Sequence, residues 1–155
     1  MQEPDKMIEY LPVRVYPFFK TDVFSVRLED SIGKAIKIMY ENSFSQLPIF
    51  KDQKFYDLLT NNTISRWLGA CADDDLFSLD DTEVSQVLEY TENPDNYFFL
   101  NSNAHLSEAM EKFQYFETLG KRLDAILITE NGSPVEPLLG IITSSDISKI
   151  LNQIK

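Results

Sequence analysis

The chain has 155 residues, 43 % of them hydrophobic, with eleven Phe, seven Tyr and a formal net charge of −11. That length fits one compact domain or two small halves that share a core, and that apolar content argues against disorder. The acidity argues against nucleic acid or an anionic membrane as a general partner, because both require a basic footprint. A small nucleotide held by backbone amides and one or two basic side chains remains compatible with it. The single cysteine, Cys71, excludes an intramolecular disulfide and a cysteine metal cluster. No apolar run approaches the length of a membrane span. Met1-Gln2-Glu3-Pro4-Asp5 lacks the basic and apolar regions of a signal peptide, which predicts a cytoplasmic protein. The triplets Asn61-Asn62-Thr63 and Asn131-Gly132-Ser133 then carry no weight as glycosylation sites.

Residues 4–20 begin with a short helical pattern around Met7, Ile8 and Leu11, punctuated by Pro12 and Pro17. Val23 to Val26 reads as a short strand. Asp30 or Ser31 can cap a helix from Ile32 to Glu41, with Ile32, Ala35, Ile36 and Met39 on one face. Gln46 to Phe50 is the next strand; its Pro48 implies an edge, an end, or a missing N–H that faces no ladder. Lys51 to Lys54 is a polar turn, and Phe55 to Leu59 the return strand of a hairpin. Thr60-Asn61-Asn62-Thr63 opens a helix carrying Ile64, Trp67 and Leu68, with Gly69 as its stop. The acidic segment 71–81, with Asp73-Asp74-Asp75 and Asp80-Asp81, lacks the spacing of a calcium loop and reads as a solvated linker.

Thr82 to Tyr90 is a short helix with Val84, Val87 and Leu88 inward, and the order then repeats. Tyr97 to Leu100 is a strand, Leu106 to Phe116 a helix, Asp124 to Thr129 a strand, and Glu130 to Pro137 a turn. Leu138 to Ile142 returns as a strand, and Ser144 to Asn152 is the last helix. Placing Ala35 on Ala109 superimposes Ile32 on Leu106, Ile36 on Met110 and Met39 on Phe113. Further insertions place Leu47-Pro48-Ile49-Phe50 on Ala125 to Ile128, and Leu59-Thr60-Asn61-Asn62-Thr63-Ile64 on Ile142 to Ile147. The predicted class is α+β, with two pseudo-symmetric β-α-β-β-α repeats packed face to face. The first spans 10–70 with the N-terminal helical segment 1–20, the linker 71–81, and the second repeat 82–155.

The stretch with most chemistry is Gly140-Ile141-Ile142-Thr143-Ser144-Ser145-Asp146. A strand that ends at a helix N-terminus leaves backbone N–H groups and a partial positive charge, which suit an anion. Thr143-x-x-Asp146 is equally a capping box that stabilises the helix and does nothing else. His105, before a helix start, reads as a capping or surface residue, because no nucleophile accompanies it.

The order "apolar strand, helix with a central Ala, Leu-Pro-Ile strand, hairpin, Gly-Ile-Ile-Thr-x-x-Asp, helix" resembles a tandem pair of CBS domains of the stand-alone bacterial type, over about residues 10–155. The first half departs from the closing motif: Asp57 stands where Gly is usual and Thr63 where Asp is usual. The resemblance implies an adenine nucleotide (AMP, ADP, ATP or a cyclic dinucleotide) in a cleft between repeats. Asp146 would accept from the ribose hydroxyls, since a carboxylate suits a vicinal diol. Thr143, with Ser144 and Ser145, would lie near ribose or phosphate. Asp124, Ala125 and Ile126 would flank adenine, Asn101 and Ser102 would line the same cleft, and Lys121 or Arg122 would reach phosphate. It also implies one competent site, in the second half, a regulatory rather than enzymatic role, no required cofactor, a homodimer and a separate partner protein. The alternative is a structural or dimerisation module that has lost its ligand.

Overall fold

The computed structural model describes residues 14–15, 23–74, 77–146 and 151–152. The first repeat runs β1 (Val26–Arg27), α1 (Ile32–Asn42), β2 (Gln46–Lys51), β3 (Lys54–Thr60), α2 (Asn61–Cys71) and α3 (Val84–Val87), which ends in a 3-10 turn, Leu88–Tyr90. The second runs β4 (Tyr97–Asn101), α4 (Leu106–Thr118), β5 (Ala125–Thr129), β6 (Gly140–Thr143) and a 3-10 turn, Ser144–Asp146. Each repeat holds one three-stranded sheet in chain order, its first pair parallel and its second antiparallel. The parallel pair needs a crossover, and α1 or α4 supplies it. Of the predicted segment 4–20 only Arg14 and Val15 are among the described residues, and 147–150 of the predicted last helix lie outside them; Leu151 and Asn152 are helical.

Helix α1 forms as its spacing predicts. Ile32, Ala35 and Met39 are buried, Ser31 is the N-cap, its hydroxyl accepting from the Lys34 amide, and Ser43 ends the helix at φ 56°. Two further first-turn amides are met by the acidic linker: Ile32 N–H donates to the Thr82 carbonyl and Gly33 N–H to the Leu79 carbonyl. A Cβ at Gly33 would stand 3.0 Å from that Leu79 oxygen, so any larger residue there would have to push the linker back. The linker is therefore fastened at residues 79–82, where the charge pattern alone predicted a solvated segment. Asp52 (φ 51°) and Gln53 (φ 67°) form a two-residue left-handed turn between β2 and β3. Pro48 lies in the middle strand, but β1 pairs only with Ile49 and Phe50, so the ladder on that side stops short of it.

Several boundaries differ from expectation. Helix α2 continues through Gly69 to Cys71, and nothing lies within 4 Å of a Cβ built at 69. An exposed helical glycine costs about 1 kcal/mol, which a packed helix tolerates. The sheet pairing also shifts the overlay by one residue. Thr60 faces Gln46, and Thr143 faces Ala125. Gln46 therefore matches Ala125, and Leu47 matches Ile126, not Ala125 as the sequence overlay had it.

The compact units do not follow the repeat order. One unit is Phe24–Pro94; the other joins the chain from Asp95 onward to the N-terminal side. Val84 and Val87, predicted to begin the second repeat, are buried in the first repeat's core with Ile32, Leu47, Ile49 and Trp67. Val15 is buried in the second repeat's core with Leu106, Phe113, Ile126 and Ile142, and its amide donates to the Ala104 carbonyl.

Asp30 braces the β1–α1 turn. Its Oδ2 accepts from Arg27 N at 2.8 Å and Lys34 Nζ at 3.3 Å, and its carbonyl accepts from Val84 N. Burial acts to raise its carboxyl, but the Arg27 amide, the Lys34 bond and the two cationic charges outweigh it and hold the value below normal. A depressed carboxylate stabilises the fold above its unfolded value, near 3.9, and that contribution is lost as pH falls through the folded value. Asp30→Asn should therefore cost about 0.5–1.5 kcal/mol near neutrality. Urea unfolding across a pH series should show the gap between wild type and variant closing in acid.

Candidate functional site

Strand β5 is buried from end to end and is the middle strand of its sheet. Its parallel partner sets Tyr97 beside Ala125, and its antiparallel partner sets Thr143 opposite Ala125. Residues paired in register share a face. Ile126, Ile128 and Ile142 face α4 in the hydrophobic core; Tyr97, Ala125 and Thr143 form a row on the other face, at one end of the sheet. Phe99 follows Tyr97 along that face, the rings 6.0 Å apart and nearly perpendicular.

The closing turn continues from the same end. Asp146 Oδ2 accepts from Thr143 N at 2.8 Å and from Thr143 Oγ1 at 3.1 Å. Thr143 Oγ1 also lies 2.8 Å from Ser145 Oγ. The carboxylate thus reaches back to the first residue of the turn, which is one half of a capping box. The first repeat has the other half. There Thr60 Oγ1 accepts from Thr63 N at 3.2 Å, and the two hydroxyls meet at 3.2 Å, with Thr63 2 % exposed. Both repeats close their turn, but only the second does so with a carboxylate. Ser144 and Ser145 are exposed on it.

Asp124 precedes β5 and is buried. It accepts from Asn96 Nδ2 at 2.5 Å and from Arg122 Nε at 2.6 Å, while its amide donates to the Asn96 carbonyl. Arg122, predicted as a phosphate contact, therefore has its Nε on Asp124; Lys121 is exposed. The side chain of Ile126 is in the core, which leaves its backbone as the part a ligand could meet.

Asn101 and Ser102 do not join the group within this repeat. Asn101 pairs with Thr129, four residues along β5 from Ala125, roughly 13 Å away at about 3.3 Å per residue. The parallel direction of β4 puts its C-terminal end there. Both residues serve that end: Asn101 Oδ1 accepts from Asn103 N, and Ser102 N and Oγ donate to the Glu130 carbonyl. Tyr97, which the sequence reading did not single out, stands beside Ala125 because the parallel partner β4 starts level with it.

His105 occupies the N-cap position of α4, is exposed and makes no side-chain cap bond. Among the described residues, no group of three His, Cys, Asp or Glu is placed to hold a metal ion, and no helix is long and apolar enough to cross a membrane.

Two tandem sheets, each closed by a Thr-x-x-Thr or Thr-x-x-Asp turn, match the CBS domain family model at residues 15–70 and 84–153. The chain belongs to that family and carries two copies of the domain. Solved structures agree. The CBS domain pair of MJ0100, in complex with 5′-methylthioadenosine and S-adenosyl-L-methionine, is 14 % identical with a TM-score of 0.65, over 92 % of this chain and 98 % of that one. A CBS domain-containing protein from Kribbella flavida is 12 % identical with a TM-score of 0.67, over 90 % and 99 %. A signal-transduction protein with CBS domains from Burkholderia ambifaria is 15 % identical with a TM-score of 0.61, over 97 % and 93 %. At these identities the likeness establishes a common fold. No curated protein matches the chain in sequence.

The bonds around Asp124 are unequal. Asp124→Ala leaves the Asn96 amide, which is 4 % exposed, without its partner, and should cost about 1–3 kcal/mol. Arg122→Ala removes an exposed guanidinium and should cost about 0–1 kcal/mol. Urea denaturation of both variants measures the difference.

Proposed function

We propose that the protein is a non-enzymatic regulatory module that binds an adenine nucleotide through the closing turn of its second repeat. The observation that carries this is the asymmetry between the repeats: Asp146 stands where the first repeat has Thr63. An ionised carboxylate accepts from both hydroxyls of a ribose diol, and bonds to a charged acceptor are worth about 1.5–3 kcal/mol each. Thr143 and the exposed Ser144 and Ser145 offer hydroxyls to ribose or phosphate. Asp124, Ala125 and the Ile126 backbone lie toward the base, and Tyr97 adds an aromatic face beside Ala125. Arg122 is the nearby cation. The MJ0100 pair supports the ligand class, because both molecules in that complex contain an adenosine. AMP, ADP, ATP and a cyclic dinucleotide share that feature. Regulation follows if the ligand binds one arrangement of the module better than another, with a homodimer and a separate partner protein as readers of the change.

A second reading has its own observation. Asp146 already caps the turn, so the carboxylate has a purely structural use, and the module would then serve assembly alone. Thermal shift with adenine nucleotides separates the two. Ligand at about a hundred times its dissociation constant should add roughly 2.7 kcal/mol. Asp146→Ala should remove most of that shift while costing about 0.5–2 kcal/mol as a lost cap. Absence of a shift with every adenine and guanine nucleotide favours the structural module. Retained affinity in Asp146→Ala puts the site elsewhere. Turnover of ATP or AMP by the wild type would replace both readings with an enzymatic one.

A further inference from the structure

The turn between β5 and β6 contains Asn131-Gly132, and the fold requires that glycine. Gly132 has φ +79°, and a Cβ there would stand 3.3 Å from the Asn101 backbone nitrogen. The requirement places after Asn131 the residue that least hinders attack by its own amide nitrogen on the preceding side chain. Glu136 holds that side chain in place. Its Oε2 accepts from Asn131 Nδ2 at 2.7 Å, and its Oε1 accepts from Asn131 N at 2.9 Å and Ser133 N at 3.1 Å. The Asn131 bonds, with that from Ser133, hold the Glu136 carboxyl below its ordinary value, so it is ionised at neutral pH.

We infer that Asn131 is a self-modification site, a deamidation centre whose rate is restrained by Glu136. The Gly132 nitrogen gives up its proton to solvent base and attacks Asn131 Cγ. A Cγ–N bond forms, the Cγ–Nδ2 bond breaks, and Nδ2 takes a proton from water and leaves as ammonia. Water then opens the cyclic imide at either carbonyl, giving aspartate or isoaspartate, with no change of oxidation state. Attack on Cγ requires the amide to leave Glu136 Oε2. Conversion then weakens the turn. The product replaces the Nδ2 donor with a carboxylate facing Glu136, where two acceptors cannot bond and like charges repel. Asn131 bridges to Asn101, and Glu130 holds Ser102, so the loosening extends to the end of β4.

The test incubates the full chain, Glu136→Gln, Glu136→Ala and a free peptide of residues 129–138 at 37 °C and mildly alkaline pH. Mass spectrometry of the proteolytic fragment follows amide-to-acid conversion at 131 and separates isoaspartate from aspartate. The native chain should convert at least about tenfold more slowly than the peptide, a factor equal to about 1.36 kcal/mol of barrier. Glu136→Ala should recover most of that factor and Glu136→Gln part of it. Circular dichroism reports whether each variant is folded; if Glu136→Ala is not, the isosteric Gln variant carries the comparison. Equal rates in the native chain and the folded variants would overturn the inference, as would a native rate equal to the peptide's or a product without isoaspartate.

Discussion

The three-stranded ladder around β5 is the constraint on which the second repeat depends. One parallel and one antiparallel partner hold the strand on both sides. That pairing, and not alternation within β5, puts Ile126 and Ile128 on the core face beside Ile142. The same pairing brings Tyr97, Ala125 and Thr143 level. Thr143 is where the chain leaves the sheet, so the carboxylate three residues on is delivered to the end of that row. The geometry of the candidate site is thus a by-product of core packing: the pairing that seats the core face also sets the row on the other.

The closing turns show how one motif divides its labour. A reciprocal cap uses a hydroxyl forward and a longer side chain backward. The first repeat keeps only the forward bond, from Thr63 N to Thr60, and the second keeps the backward bond, from Thr143 N to Asp146. Both satisfy an orphan donor at the helix entrance. They differ in what they show to solvent. Two buried hydroxyls expose no charge, whereas Asp146 is partly exposed. Structural and binding uses of the carboxylate are compatible, because an ionised carboxyl accepts several bonds at once.

Much of this was legible in the sequence, and the failures have physical causes. Helices α1 and α4 were readable because 3.6-residue spacing of apolar side chains survives without tertiary knowledge; Ile32, Ala35 and Met39 are buried as spaced. The Thr143–Asp146 turn was readable because capping is local. The one-residue slip between Leu47 and Ala125 was not, since a strand buried on both faces is apolar throughout and has no alternation to fix register. Asn101 and Ser102 were carried over from the family resemblance, and the direction of β4 sets them level with Thr129, at the opposite end of β5 from Ala125. Val84 and Val87 stand where the second family match begins, yet a short linker fastened at Thr82 and Leu79 packs them against Ile32 and Trp67, a contact that sequence order does not reveal.

The burial of Thr63 has a consequence for substitution there. At 2 % exposure, its hydroxyl fills a space shaped for it against Thr60. A single substitution to aspartate there would place a carboxylate where water hardly reaches, and desolvation would drive it toward the neutral form. A charged acceptor at this position therefore needs the surrounding packing to open first. The two copies are therefore unequal in what one substitution can do: it can remove the charge of the second repeat, but it cannot install a working one in the first.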